Sequence, residues 1–310
     1  MTLRFVLPAI HRRPTGGNVY NRNIAAELRK LPGFSRDVAL VDSLMLDHIP
    51  AGTSVLIAHY LNIADPAHRH SRAADRERKV LRRFAGIVTT SDYSRQALRD
   101  EGIVNVETVW PGLHDRFRAP PNGRRDGRVI LLTVASLLPD KGLLELIGIL
   151  ESLADLDWRW VLAGDTTLDR TYSRRVLGRI EGSPLRERLL VRGPMPPSRL
   201  VALYDRAGIF VLPTRFETCS MATREAMARA LPVVAYDTGG LRANLPRRSA
   251  RHLAPAGDAT AFTARLRRVL GDASARQTEG ERNRSTALTF PTWEESAGRL
   301  WRFLRKVISD

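Results

Sequence analysis

The sequence is poor in residues that staple a protein or carry common catalytic signatures. Its 310 residues include one cysteine, Cys219, so no intrachain disulfide can form and nothing argues for secretion. No stretch approaches the roughly 18 consecutive apolar residues that span a bilayer. The first residues, MTLRFVLPAIHRR, lack a basic region followed by a long apolar core. The expected location is a reducing cytoplasm. Lysine is nearly missing: of 49 basic residues only Lys30, Lys79, Lys141 and Lys306 are lysine. There is no GxGxxG after the first strand pattern, no P-loop, no HExxH, no GxSxG elbow and no paired CxxC. A dehydrogenase or a simple hydrolase therefore has no motif support.

The net charge of +16 invites a nucleic-acid reading, because a basic surface attracts phosphate without recognising sequence. The charge is spread along the chain with no basic tail, and its arginine bias is what a GC-rich genome gives any protein. Nucleic acid is a disfavoured partner.

What is present is a packed α/β chain. Apolar residues make up 43%, enough for a substantial core in one large or two smaller domains. Short β-rich runs alternate with helical patterns, as in parallel sheets built from βαβ units. The first half offers LRFVLPA, DVALVD, SVLIAH, GIVTTS and NVETVW; the second offers VILLTVAS, WRWVLAG, RLLVRG, GIFVLP and PVVAY. Between them RAPPNGRRDGR is rich in Pro, Gly and Arg without apolar periodicity, which reads as a linker. The expected organisation is a Rossmann-like domain over 1–118, a linker over 119–128, a second Rossmann-like domain over 129–290 and a helix within 291–310. The last rests on Pro291 at a first helical position and the apolar Trp293, Leu300, Trp301, Leu304 and Ile308.

One stretch raises a question of chemistry. RFETCSMATREAMA, residues 215–228, places Glu217 in a loop after the strand IFVLP and Glu225 one to two turns into an Ala- and Met-rich helical run. Ser220 or Thr218 is the candidate N-cap, which leaves the amides of Met221 to Thr223 at the C-terminal edge of a sheet. Helix starts at that edge bind anions, and a phosphate suits them. Two carboxylates flanking such a site can reach opposite ends of one elongated polar ligand. The plainer alternative is that Glu217 favours the helix N-terminus and Glu225 is a solvated surface residue. Asp155-Leu156-Asp157 has the form of a metal-binding DxD, but it precedes the strand WRWVLAG where turn chemistry favours Asp.

The segment FVLPTRFETCSMATREAMARALPVVAYDTGG resembles the donor-site signature of retaining GT-B glycosyltransferases, most of all the large family 4 of that class. LLTVASLLPDKG resembles the family's lysine loop, PTGGNVYN its N-domain glycine loop and VWPGLHDRF the end of its N-domain; LAPAGD and the Trp-containing tail continue the likeness. It covers nearly the whole chain, with a short N-domain. The resemblance implies a GT-B fold, two Rossmann-like domains with parallel sheets facing a central cleft and a C-terminal helix packing back toward the N-domain. It implies sugar transfer from a nucleoside-diphosphate sugar to an acceptor hydroxyl with retention of anomeric configuration, with no metal and no cofactor.

Carried over residue by residue, the resemblance gives Glu217 to the donor-sugar hydroxyls, Glu225 to the ribose and Lys141 to the diphosphate. Gly16 and Gly17, between the first strand and a helix beginning near Asn18, approach a phosphate or sugar closely. His59, at the end of SVLIAH, lies near the transferred sugar. Glu217, His59 and Lys141 are thus the candidate catalytic residues. Gly16, Gly17, Ser136, Lys141, Glu217, Ser220, Met221, Ala222 and Glu225 form the candidate donor site. The sequence departs from the family pattern at Ser136, where an arginine or similar ligand often stands, at Thr218 and Ser220, where glycines are expected, and at Ala243 in place of a glutamate. These departures bear on how many contacts the diphosphate has.

The acceptor is a glycan, a lipid-linked molecule or a small molecule. In RHSRAADRERKVLRR, Arg72, Arg76, Lys79 and Arg83 fall at helical spacing on one face and Ala73, Val80 and Phe84 on another. That stripe makes an anionic membrane surface a candidate partner, with a peripheral place at the inner membrane face. Two competing readings remain: a basic non-catalytic protein that binds nucleic acid or membrane, and a GT-B relative such as a sugar-nucleotide epimerase or phosphorylase.

Overall fold

A computed structural model of the chain describes residues 3–9, 11–13, 15–33, 36–122 and 127–309. Each of the ten apolar runs read as strands forms one. The residues fall into two units: those up to Gly112 together with those from Pro291 on, and Leu113–Phe290.

The first unit runs β1 (Leu3–Val6), α1 (Gly16–Leu28), β2 (Val38–Asp42), β3 (Thr53–Ala58), α2 (Arg72–Leu81), β4 (Gly86–Thr89), α3 (Asp92–Asp100) and β5 (Val106–Thr108). The five strands are parallel and lie in the order β1-β2-β3-β4-β5, so successive crossovers advance in one direction. Strands β2 and β4 are buried along their whole length, which is why they read as continuous apolar or small runs rather than alternating ones.

The second unit holds α4 (Asp115–Arg118), β6 (Val129–Val134), α5 (Leu143–Glu151), β7 (Trp158–Ala163), α6 (Arg170–Glu181), β8 (Leu189–Val191), α7 (Pro197–Arg206) and β9 (Ile209–Leu212). It continues with α8 (Met221–Ala228), β10 (Val233–Asp237), α9 (Arg247–Ala250), β11 (Ala254–Pro255), α10 (Ala259–Gly271) and α11 (Ala273–Ala287). The chain then ends in α12 (Trp293–Ser309), which belongs to the first unit and packs on α1.

The second sheet is also parallel, in the order β11-β10-β9-β6-β7-β8. Its strands alternate strictly between two cores, as the two-residue period demands. Leu131, Trp160, Ile209, Val211 and Val234 join α5, α6 and α10 on one face. Leu132, Val161, Phe210, Leu212 and Val233 join α7 and α8 on the other.

The boundary falls at Gly112, ahead of the composition-based linker, and the reason lies in packing. Leu113 and Phe117 are buried in the second unit's core, and the carbonyls that follow are held by arginines of that unit. Arg229, 2% exposed, donates to Asp205, to the Ala119 carbonyl at 2.5 Å and to the Pro120 carbonyl at 3.1 Å. Arg284 donates to the Arg118 carbonyl, and Arg118 to the carbonyls of Leu288 and Phe290. A buried guanidinium is tolerable only when its donors are met this fully. Of the expected linker, residues 123–126 lie outside the described residues.

Candidate functional site

In an open α/β sheet, ligands bind outside the carboxyl ends of the strands where the strand order reverses. In the second unit that reversal lies between β6 and β9. The loop after β6 carries Ser136 and Lys141, and the loop after β9 carries Glu217, so neighbouring strands bring these candidates together. Lys141 Nζ lies 2.9 Å from Asp140 Oδ2 and donates to Glu217 Oε2 at 3.4 Å. Burial works against its charge, yet the carboxylates of Glu217 and Asp140 outweigh it and raise the ammonium above its ordinary pKa. Ser136 lies partly buried in the loop after β6, next to Leu137, whose amide is held by the Asp165 carbonyl.

Backbone bonds hold the β9 loop from both sides. The Arg215 amide and the Thr214 hydroxyl donate to the Asp140 carbonyl, which ties this loop to the lysine loop. On the far side the Gly240 amide donates to the Glu217 carbonyl at 2.8 Å, and Thr238 Oγ1 donates to the Arg215 carbonyl at 2.7 Å. The turn at Gly239 and Gly240 is thus a support for the backbone of Glu217.

Helix α8 starts with Ser220 as its cap. The hydroxyl accepts from the Thr223 amide at 3.3 Å, although the residue sits at φ +58°, where a side chain is costly. That conformation is the physical reason a glycine is expected there. The cap narrows the site, because the Thr223 amide is taken and only Met221 and Ala222 keep first-turn amides with no acceptor among the described residues. Glu217 Oε1 accepts from the Ser220 amide at 3.3 Å, so its two oxygens bridge the helix start and Lys141. The neighbouring Cys219 is buried and its carbonyl is held by Asn244; burial pushes its thiol up to about 12, which disqualifies it as a nucleophile at neutral pH.

Glu225 is not the solvated surface residue of the plainer reading. Its Oε2 accepts from Tyr204 at 3.0 Å, and burial raises its carboxyl to about 7 against the opposing effects of Tyr204 and Arg116. Sequence reasoning missed Tyr204 and Arg116, since neither lies in a recognisable motif.

In the first unit a second group of candidates assembles at the C-terminal edge of its sheet. Gly16 and Gly17 form the first turn of α1 rather than a loop before it. Thr15 is the cap, accepting from the Asn18 amide, so the helix starts two residues before Asn18. Gly17 lies against His59: a Cβ there would stand 2.9 Å from the ring. His59 Nε2 faces Asn21 Oδ1 at 3.0 Å and Asp42 Oδ2 at 3.5 Å, while Asn21 Nδ2 donates to Asp42 at 2.6 Å. Two acceptors at Nε2 assign the ring hydrogen to that nitrogen. Burial lowers the imidazole pKa more than Asp42 raises it, so the ring is neutral at pH 7. Asp42 and Asn21 are further residues that no sequence motif disclosed.

The remaining sequence candidates lie apart from these groups. Asp155 is held by Arg267 and Asp157 by Arg128. Among the described residues no three His, Cys, Asp or Glu side chains gather into a group that could hold a metal ion. Arg72, Arg76 and Lys79 on α2 and Arg83 just past its end are all exposed, with Arg76 paired to Asp47 at 2.8 Å. The apolar face differs from expectation: Ala73 is exposed, whereas Ala74, Glu77 and Leu81 are buried. Glu77 is drawn inward because its carboxylate accepts from the amides of Asn62 and Ile63. No described helix is long and apolar enough to cross a membrane.

The architecture recurs in solved structures. An Anabaena protein, HepE, solved in complex with UDP and glucose, matches with a TM-score of 0.78 over 98% of this chain and 99% of that one, at 15% identity. Sucrose-phosphate synthase from Thermosynechococcus elongatus matches at 0.75 over 97% and 79%, at 18% identity. At such identities the likeness is one of fold, and the fold is GT-B. The family of glycosyl transferases group 1 matches residues 115–286, more than half of the chain, and the chain belongs to that family.

Among curated relatives, α-D-kanosaminyltransferase of Streptomyces kanamyceticus is 27% identical over 183 residues, 53% of this chain and 46% of that protein. D-inositol 3-phosphate glycosyltransferase of Corynebacterium glutamicum (strain R) is 29% identical over 215 residues, 66% of this chain and 50% of that protein. The matched stretch thus spans about half the length of these two relatives.

Proposed function

We propose that this chain transfers a sugar from a nucleoside-diphosphate sugar to an acceptor hydroxyl, with retention and without a metal. One observation carries the reading. A lysine, two amides of a helix start and the Glu217 carboxylate stand together at the strand-order reversal of the second sheet, with Glu225 further along the same helix, in a family of glycosyl transferases. Lys141 and the amides of Met221 and Ala222 suit the diphosphate, whose charge grows as the sugar departs. Glu225 suits ribose hydroxyls and Glu217 sugar hydroxyls. His59 and Gly17 are assigned to the transferred sugar on the family resemblance.

In this reaction the bond from the anomeric carbon to the phosphate oxygen breaks, and the acceptor oxygen bonds to the same face of that carbon. The acceptor proton passes to the departing phosphate oxygen. Lys141 takes the charge-stabilising part that a divalent ion plays elsewhere. The exposed basic face of α2 supports an acceptor presented at an anionic membrane surface.

A thermal-shift screen of UDP, GDP, ADP, CMP, dTDP and their sugars finds the donor, since a ligand at ~100 times its dissociation constant stabilises by about 2.7 kcal/mol. Transfer is then followed by NMR of the product anomer, with and without excess EDTA. Activity lost in EDTA and restored by manganese would overturn the metal-free part, and an inverted anomer the retaining part. Glu225→Ala is expected to weaken the bare nucleoside diphosphate by roughly 1.5–3 kcal/mol, about 10- to 150-fold. Glu217→Ala is expected to bind it nearly as well as wild type yet lose most transfer. The reverse pattern exchanges the two assignments.

A further inference from the structure

Tyr204 is fully buried on α7, with its ring held edge-on to Phe117 at 5.8 Å and against Phe210 at 6.1 Å. So confined, the phenol has little freedom to swing. Its hydroxyl stands 3.0 Å from Glu225 Oε2 and 3.1 Å from the Ala222 carbonyl. One hydroxyl hydrogen serves one acceptor at a time. When Glu225 is ionised, the charge-assisted bond to Oε2 is the stronger. When Glu225 is protonated, the carboxyl donates to the phenol oxygen and the phenol donates to Ala222. Both states are satisfied, and in both Oε2 stays turned toward α7. Among the described residues no donor engages Oε1.

We propose that Tyr204 is a positioning residue for nucleotide binding: it holds Oε2 of Glu225 so that Oε1 is presented to a ribose hydroxyl. This rests on the assignment of Glu225 to the ribose made above. The surroundings leave Tyr204 as the group that does it. On α7, Asp205 is committed to Arg229. On α8 itself Arg224 lies over the Phe290 ring at 4.0 Å, and Arg229, which caps its C-terminus, is spent on Asp205 and the carbonyls of Ala119 and Pro120. On α11, Arg284 holds the Ala228 carbonyl and Glu279 is paired with Arg265. From α4, Arg116 acts on Glu225 by charge and favours its ionised form. Burial works the other way and leaves the carboxyl titrating at about 7, so the state that accepts from ribose gains population across neutral pH.

The test uses the full chain. UDP, GDP and ADP are titrated calorimetrically, and the tightest binder is carried through a pH series with wild type, Tyr204→Phe and Glu225→Gln. Wild-type affinity is expected to rise as pH passes through about 7. Tyr204→Phe keeps the ring and loses the bond that favours the carboxylate, so its inflection moves up by about one pH unit. Glu225→Gln gives a profile without that inflection. In wild type, binding below neutral pH releases more protons than in Glu225→Gln, read from titrations in buffers of different ionisation enthalpy. Superimposable profiles for wild type and Tyr204→Phe would overturn the role of Tyr204 and leave the ribose assignment standing. Failure of all three nucleotides to bind wild type would overturn both.

Discussion

The Glu217 carbonyl and the Gly240 amide are joined at 2.8 Å, and the intervening architecture depends on Gly239 having no side chain. Gly239 sits at φ +52°, and a Cβ there would overlap the Glu217 carbonyl oxygen. The turn therefore positions Glu217 through its backbone without touching its carboxylate. Gly239→Ala is expected to lower stability by about 1–3 kcal/mol, from the left-handed backbone and the overlap together. It is also expected to reduce transfer more than nucleotide affinity, because Glu225 stands on a separate element. Chemical denaturation beside single-turnover transfer and nucleotide calorimetry checks this. A Gly239→Ala protein with full transfer would mean that the loop tolerates displacement and that its backbone support is incidental.

Ser220 poses the opposite trade at the same helix. Its hydroxyl caps α8 while its backbone sits at φ +58°, so one residue supplies a favourable bond from a costly conformation. Ser220→Ala loses the cap and keeps the strain, at a cost of about 0.5–2 kcal/mol. Ser220→Gly loses the cap but relieves about 1–2 kcal/mol of strain. Glycine is thus expected to be the more stable of the two variants, and close to or above wild type in denaturant midpoint. The opposite order would show that the Thr223 amide depends on the hydroxyl more than the backbone suffers from φ.

How far the site could be read from sequence follows from the same residues. Strands such as β2 and β4 were legible because buried parallel strands are continuous apolar runs, and Lys141, Glu217 and Glu225 could be named as candidates because their loop and helix spacing resembles a family signature. Three features were not legible. Helix α1 starts at Gly16, capped by Thr15, rather than near Asn18, because nothing local distinguishes a glycine pair before a helix from one inside its first turn. Glu77 is buried on α2 because two amides sixteen or fewer residues back in the chain, at Asn62 and Ile63, need an acceptor, and no helical periodicity registers that need. Tyr204 and Asp42 act on Glu225 and His59 across sequence separations of 21 and 17 residues, with partners fixed by sheet order and helix packing rather than by spacing.

The membrane part of the proposal stands on the exposed charges of α2 alone, since its apolar residues Ala74 and Leu81 face inward. Binding is therefore expected to be electrostatic, without insertion of an apolar face. Arg72, Arg76, Lys79 and Arg83 are each worth about 1 kcal/mol near an anionic surface, and the attraction falls within a Debye length of about 8 Å at physiological salt. Co-sedimentation with phosphatidylserine vesicles should exceed that with neutral vesicles and weaken steeply as salt rises, and the four-fold Glu variant should abolish the difference. Equal sedimentation of variant and wild type would reduce the stripe to a solvated helix face.

Glu225 makes stability itself depend on pH. Its pKa is raised in the fold, by burial, from the ordinary 4.5 to about 7. The ionised form is thus the one the fold disfavours, so this group's contribution to stability is fully present below pH 4.5 and is lost as pH rises through about 7. Glu225→Gln removes the ionisation while keeping a polar partner for Tyr204. The variant is expected to match or trail wild type in acid and to exceed it on the alkaline side by about 1–2 kcal/mol, after discounting for the partial exposure of the carboxyl. For a unit of this size that corresponds to a rise in Tm of roughly 2–8 °C at alkaline pH. Calorimetric melting of both proteins across neutral pH reads the difference directly, and the subtraction removes every other titrating group. A constant gap at all pH values would mean that Glu225 titrates where an exposed carboxyl does, and the burial of this site would then have no bearing on its charge.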